Sequence, residues 1–296
     1  MEIRILRYFL EIAREGNMTR AAERLHVSQP TLSKQMKELE RELGRKLFIR
    51  SNYSVKLSDE GMLLRKRAED ILDMVDKTEE EFRSLSDITG DDLYIGCAES
   101  YLMKYFARAV QRLRERYPDI RYHFISGGTE QVAERLEKGL LDFAVIVESP
   151  DLSKYNSIEL PETNAWVTLM KRDEPLAEKK SVCFDDLLGH AVFCSEQSIA
   201  SDLPRWCGER TDQLDIKATF NLANNAAVFV REGLGLALVL DQLLYTGSDS
   251  DLCCRPLDPP LETKMYIIWR KYQVFSPAAE LLLHALTDVI DGKSPK

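Results

Sequence analysis

Ser28, Gln29, Thr31, Ser33, Lys34 and Lys37 crowd hydroxyl, amide and ammonium groups into one short stretch, with Leu32 and Met36 spaced between them. These residue types suit a DNA groove. Gln29 can pair with adenine through both amide atoms, Lys34 can reach the guanine acceptors, and Thr31 and Ser33 can bond bases or phosphate. Thr19 upstream joins the candidate contacts, and Arg45, Lys46, Arg50 and Lys56 add basic groups downstream.

Apolar spacing shows which elements would carry these groups. Ala21, Ala22 and Leu25 form a short helical pattern that runs into a polar turn around Val27 and Ser28. A second helix opens at Gln29-Pro30 and is expected to bury Leu32, Met36, Leu39 and Leu43. Two helices with so short a break must cross steeply, as in a helix-turn-helix. Ser28 is the candidate N-cap, and Pro30 fits a first turn whose N–H groups have no intrahelical partner. The helix N-terminus then favours phosphate. Leu47-Phe48-Ile49 and Val55-Lys56-Leu57 read as two short strands of a wing, joined by Ser51-Asn52-Tyr53-Ser54 with Asn52 as a turn residue. The alternative is an all-helical corner with a solvated basic face.

Charge separates the chain into regions. Overall it is acidic, with 40 Lys+Arg against 49 Asp+Glu. Residues 1–58 hold 12 basic and 7 acidic residues, residues 59–90 hold 5 and 10, and residues 91–296 hold 23 and 32. Only the first segment has the sign that phosphate contacts require. In the second, Leu64, Ala68, Ile71, Val75, Thr78, Phe82 and Leu85 alternate at the spacing of a coiled-coil seam, without Gly or Pro from Met62 to Ile88. A dimerising linker helix is expected, and a lone amphipathic helix packed on its own domain is the alternative.

Beyond Gly90 strands and helices alternate, which predicts parallel sheets covered by helices. Strands are expected at 93–97, 120–125, 143–147, 165–170, 191–194, 236–240 and 264–269, with helices near 101–117, 129–139, 184–188, 224–232 and 277–290. Two α/β lobes of this kind take small ligands in the cleft between them.

The residues also carry a family resemblance. Ala21-Ala22-Glu23-Arg24-Leu25, Ser28-Gln29-Pro30-Thr31-Leu32-Ser33-Lys34-Gln35, Leu39-Glu40-Arg41-Glu42-Leu43-Gly44 and Leu47-Phe48-Ile49-Arg50 match a fixed pattern at fixed spacing. Leu93-Tyr94-Ile95-Gly96, Tyr117-Pro118, Gly139-Leu140-Leu141-Asp142 and Glu232-Gly233-Leu234-Gly235 continue it more loosely. Over essentially its full length the chain resembles the LysR-type transcriptional regulators. It departs from many of them at Tyr53, where a second wing Arg is common, and at Val239-Leu240-Asp241, where a Pro is common.

That resemblance implies an N-terminal all-α winged helix-turn-helix with a long linker helix, then a C-terminal α/β two-lobed effector-binding domain resembling periplasmic binding proteins. The expected boundaries are 1–58, 59–90 and 91–296, with lobe I at about 91–148 and 265–296 and lobe II at about 149–264. Hinges are expected at Val147-Glu148-Ser149 and near Leu261–Lys264. The candidate effector contacts are Ser100, Tyr101, Thr129, Glu148 and Ser195; for the hydroxyl residues an ordinary helix cap is the competing role. Glu99, Glu130 and Glu148 favour an effector with an amine or other donors, although relatives also take carboxylates. The implied partners are double-stranded DNA with an interrupted inverted-repeat operator, a small-molecule effector and further copies of the chain, as a dimer or a dimer of dimers. No cofactor or metal is implied.

Other chemistry has little support. The histidines are scattered, and no Cys or His pair has zinc spacing. The six cysteines, Cys97, Cys183, Cys194, Cys207, Cys253 and Cys254, sit mostly in or beside apolar runs and read as buried thiols; Cys194 with Cys207 is the remaining redox pair. Gly233-Leu234-Gly235 lacks the third glycine of a dinucleotide fingerprint, and neither a Gly-x-Ser-x-Gly elbow nor a phosphate loop occurs. A catalytic α/β domain fused to a DNA-binding module is the second functional class. The first helix carries Arg4, Arg7 and Glu11, so no signal sequence is read there, and the longest apolar run is too short for a bilayer. A cytoplasmic protein with reduced cysteines is expected.

Overall fold

Leu6, Phe9 and Ile12 on one face of the first helix meet Leu32, Met36 and Leu39 of the third, and this apolar contact organises the N-terminal unit. The computed structural model describes residues 1–50, 55–84, 92–148 and 151–293. Asn52 and Tyr53 of the wing turn, Leu85 of the seam and Ser149 of the expected hinge lie outside the described residues. The chain divides into two units, Met1–Phe82 and Arg83–Lys296.

In the first unit α1 (Ile3–Glu15), α2 (Met18–Arg24) and α3 (Gln29–Leu43) precede β1 (Phe48–Arg50), β2 (Val55–Leu57) and α4 (Asp59–Ser84). Asn17 starts α2 by accepting from the N–H groups of Thr19 and Arg20. The turn into α3 uses a left-handed residue, His26, at φ 54°. β1 and β2 pair antiparallel as the expected wing, and Val55 N–H donates to Gly16 O at 2.9 Å, docking the wing on the end of α1. One core expectation fails: Leu43, in the last turn of α3, is 40% exposed, and the buried fourth residue is Glu40.

The linker helix divides its seam. Ala68 and Leu72 are buried in the core of the N-terminal unit, with Leu64 and Ile71 packed against it. Phe82 is 71% exposed. The first half of α4 thus packs on its own domain, as the alternative reading of the sequence has it. Its start fits tightly, because a Cβ on Gly61 would lie 2.1 Å from Leu47 O.

The second unit opens with β3 (Asp92–Cys97), α5 (Lys104–Arg114), β4 (Arg121–Ser126), α6 (Thr129–Glu137), β5 (Phe143–Val147) and β6 (Tyr155–Glu159). The chain then builds a second lobe from β7 (Asn164–Lys171), β8 (Val182–Cys183), α7 (Phe184–Leu187), β9 (Ala191–Cys194), α8 (Leu203–Cys207), β10 (Asp215–Thr219), α9 (Ala223–Arg231), β11 (Leu236–Leu240), β12 (Leu252–Asp258) and β13 (Glu262–Thr263). β14 (Met265–Arg270) and α10 (Pro277–Ile290) return to the first.

Neither sheet is wholly parallel. The first has the order β4-β3-β5-β14-β6, with β14 antiparallel to both neighbours. The second has the order β10-β9-β11-β7-β12-β8, with β7 antiparallel to β11 and β12 and β13 paired to the start of β7. The strands that run against the rest are those at the passages between lobes: β14 enters the first sheet and β7 the second. Because β6 pairs with β14, the first passage lies after residue 159 rather than at the expected 147–149. The second, at Leu261–Lys264, lies where expected.

Gly61→Ala is expected to destabilise the N-terminal unit by about 1–3 kcal/mol or more through overpacking against the Leu47 carbonyl, read as a lowered thermal midpoint. An unchanged midpoint would show that α4 can move off the wing.

Candidate DNA-binding and effector sites

α3 presents its polar residues as its caps require. Ser28 Oγ accepts from Thr31 N–H at 3.3 Å, and the Ser28 and Thr31 hydroxyls lie 2.7 Å apart. Gln29, Pro30, Thr31, Lys34 and Lys37 are exposed on one side of the helix, while Ser33 is half-buried. Thr19 is exposed in the first turn of α2, and Arg50 ends β1. The structure therefore brings Gln29, Thr31, Lys34 and Lys37 together on the exposed N-terminal half of α3, where the helix dipole favours negative charge.

Glu40 has a role that the sequence reading missed. It is 5% exposed, and its Oε1 accepts from the N–H groups of Leu47 at 2.9 Å and Phe48 at 3.4 Å. Lys46 Nζ lies 3.4 Å from Oε2. This carboxylate ties the far end of α3 to the first wing strand. The available signal was an acidic residue four positions after Met36, on the apolar face.

In the second unit the candidate effector residues gather at the junction of the lobes, where most already hold partners. Ser100 Oγ accepts from Leu102 N–H at 2.9 Å and donates to Asn164 Oδ1 at 2.6 Å across the junction. Ser100 thus takes the capping role and holds Asn164 as well. Thr129 Oγ1 donates to Val147 O and accepts from Val147 N–H, each at 3.2 Å, and Thr129 N–H reaches Gln197 Oε1 of the other lobe at 3.4 Å. Glu148 pairs with Arg205 at 2.8 Å. Ser195 Oγ accepts from Ser198 N–H at 3.1 Å, which starts the next helical turn. Tyr101 is exposed, with Lys104 Nζ 5.1 Å from its ring centre.

Asn164, Gln197 and Arg205 are the partners that the sequence did not disclose. Glu99 also crosses the junction, to the Ala223 N–H at 2.6 Å. Lys104 and Tyr105 both reach Glu162 in the first passage, at 2.6 and 2.7 Å. Burial and the Glu162 hydrogen bond push the Tyr105 phenol up to about 12, while the bonds from Lys104 and Tyr105 hold Glu162 low. Glu99 and Glu148 are thus compensated, so the acidity read from sequence does not by itself select a cationic effector.

Asp202 is buried beside Ser201, Arg205, Thr263 and Glu148, and burial raises its pKa despite Ser201 and Arg205. All six cysteines are free thiols. Burial pushes Cys194 up to about 11 and Cys254 to about 12, so both are protonated, poor nucleophiles at neutral pH.

The comparisons with known proteins agree with this geometry. Residues 3–62 match the bacterial regulatory helix-turn-helix of the lysR family, and residues 89–291 match the LysR substrate binding domain. The chain belongs to the LysR family of transcriptional regulators. Among its relatives, the HTH-type transcriptional activator CmpR of Synechocystis sp. is 26% identical over 94% of this chain and 92% of that protein. The Hca operon transcriptional activator HcaR of Escherichia coli is 30% identical over 81% of each. In fold, the LysR family regulator CbnR superposes with a TM-score of 0.73 at 19% identity, covering 98% of this chain and 99% of that one. This LysR regulator thus has the family's DNA-binding helix-turn-helix and two-lobed effector-binding domain; its relatives are named as regulators and activators, and an enzyme reading is set aside.

The buried carboxylates of this regulator can each be tested by substitution. Glu40→Ala leaves the Leu47 and Phe48 N–H groups buried without an acceptor and is expected to cost about 1–3 kcal/mol and weaken DNA binding, whereas Glu40→Gln, which keeps an acceptor, costs less. Equal losses in thermal melts of the two variants would contradict this role. A raised folded pKa makes Asp202 a burden at neutral pH that disappears as pH falls through that pKa. Asp202→Asn should therefore melt higher than the parent at pH 7, with the gap closing on acidification; a constant gap would show that ionisation is not the cause.

Proposed function

We propose that the recognition surface is Thr19, Ser28, Gln29, Pro30, Thr31, Ser33, Lys34, Lys37 and Arg50, and that an effector at the lobe junction switches how this surface is presented to an operator. The single observation that carries the reading is the exposed N-terminal half of α3, capped by Ser28 and lined by Gln29, Thr31, Lys34 and Lys37. Its polar groups meet base edges and phosphate, while Lys46 and Lys56 of the wing region supply phosphate partners. A neighbour of the same fold, full-length CbnR, has been solved with its target DNA, which supports the same use of the fold here.

The effector is held by groups around Ser100, Tyr101, Thr129, Glu148 and Ser195. Ligand can shift the lobes only by its difference in affinity for two arrangements. The reading includes the domain limits 1–58, 59–90 and 91–296, a homodimer or dimer of dimers on an interrupted inverted repeat, and a cytoplasmic location. The exposed Phe82 half of the linker helix supports self-association, and no helix among the described residues is long and apolar enough to cross a membrane.

The test is a gel shift with DNA upstream of the chain's own gene and its neighbour, at several salt concentrations. Tight binding that unrelated competitor DNA fails to displace is expected, falling steeply with salt. Lys34→Ala should weaken it and reduce the salt slope by about 1 if the ammonium meets phosphate, or relax specificity at one base pair if it meets guanine. Unchanged affinity, slope and specificity would remove α3 from the interface.

A further inference from the structure

Asp202 is a carboxylate held out of water, 2% exposed, immediately before α8. Three donors reach it, and each has another acceptor. Ser201 Oγ lies 3.2 Å from Asp202 Oδ2 but 2.8 Å from Gln197 O. Arg205 Nη1 lies 3.6 Å from Asp202 Oδ1 but 2.8 Å from Glu148 Oε2. Thr263 bonds Asp202 and also donates to Glu148 Oε2 at 3.4 Å. A hydroxyl has a single proton to give, so neither Ser201 nor Thr263 can serve two acceptors at once. The buried carboxylate is one proton short.

Two of the three donors are contested from the first lobe. Asp202 and Arg205 belong to the second lobe, whereas Glu148 follows β5 and Thr263 lies in the second passage. Glu148 and Asp202 thus bring two negative charges to one guanidinium, whose Nη2 is already donated to Glu262 O at 2.8 Å. Behind Glu148 stand the Tyr266 phenol and Lys264, and Lys264 is paired with Glu159 at 2.7 Å. Carboxylates that crowd a shared cation favour proton uptake by the more buried one. Burial raises the Asp202 pKa, and Glu148 adds to the rise.

We propose that Asp202 is a proton-binding site that controls the Glu148–Arg205 bond between the lobes. Ionised, Asp202 competes with Glu148 for Arg205 and Thr263. Protonated by a proton from solvent, it releases both to Glu148 and becomes a donor itself. Acidification therefore strengthens the interlobe pair, and the junction answers to pH as well as to an effector. The inference rests on the junction being the switch and supplies a means of regulating it.

Thermal midpoints of the full chain are measured for the parent, Glu148→Gln, Asp202→Asn and the double variant. Two conditions are used, about pH 8 and about pH 5.5, between which an ordinary carboxylate stays ionised. In the parent, Glu148→Gln should cost about 1–3 °C more at the acid end, where Arg205 no longer has Asp202 as a charged alternative. With Asp202→Asn in place, the loss from Glu148→Gln should take that larger value at both pH values. The histidines titrate in the same range in all four proteins and cancel between them. The proposal is overturned by a Glu148→Gln loss that is equal at both pH values in the parent, or that still varies with pH after Asp202→Asn. Gel shifts with DNA upstream of the chain's own gene are run at the same two pH values. Operator affinity should change by about threefold or more in the parent and by less in Asp202→Asn. Equal changes in both, with the thermal result as expected, would overturn the switch reading and leave the proton site standing. If the thermal result failed while operator binding still answered to a small molecule, only the proton site would fall.

Discussion

The chain passes between its two α/β lobes twice, and the two passages are hydrogen-bonded to each other. Leu160 N–H donates to Met265 O and Trp166 N–H to Leu261 O, and Glu148 N–H, just after β5, donates to Lys264 O of the second passage. Glu262 and Thr263 pair with Ala165 and Asn164 as a short ladder. Backbone pairing of this kind fixes the register of the two passages against each other. The arrangement of β7 and β14 against their neighbours, the position of the junction and the choice of residues that face across it all follow from this crossing.

A small set of side-chain contacts spans the lobe junction. Ser100 with Asn164, Thr129 with Gln197, Glu148 with Arg205 and Glu99 with Ala223 lie across the junction. The Glu148–Arg205 pair is partly exposed, and such pairs contribute only about 0–1 kcal/mol. Asp202 lies beside Arg205 of this pair, and burial raises its pKa.

In the N-terminal unit, separate local devices converge on one surface. Asn17 and Ser28 start the two helices, His26 turns the chain between them, and Glu40 anchors the wing. Since α4 packs Ala68 and Leu72 into the same core, the linker helix is continuous with the unit that reads DNA. Much of this was legible: Ser28 capped the helix expected of it, the wing strands formed where their apolar residues lie, and α10 spans the residues predicted. The strands at 155–159, 215–219 and 252–258 were not legible. Tyr155–Glu159 and Asp215–Thr219 are polar edge strands with little apolar alternation, and Leu252–Asp258 carries Arg255 and Pro256. Their pairing comes from a neighbour already in place, not from their own pattern.

By itself the sequence determined the helix periods, the caps, the polar and basic N-terminal half of α3 and the division into a basic head and an acidic α/β body. Those are events within a turn or a strand, and residue spacing records them directly. Tertiary structure alone decided that Glu40 would hold the wing, that Asn164 would meet Ser100, and that Glu99 would cap a helix 124 residues further on. A carboxylate or amide has the same local signature whether it faces water or a distant N–H. Packing of the N-terminal unit brings Glu40 to the wing, and the crossing of the chain between the lobes brings Asn164 and Glu99 within hydrogen-bond reach of their partners.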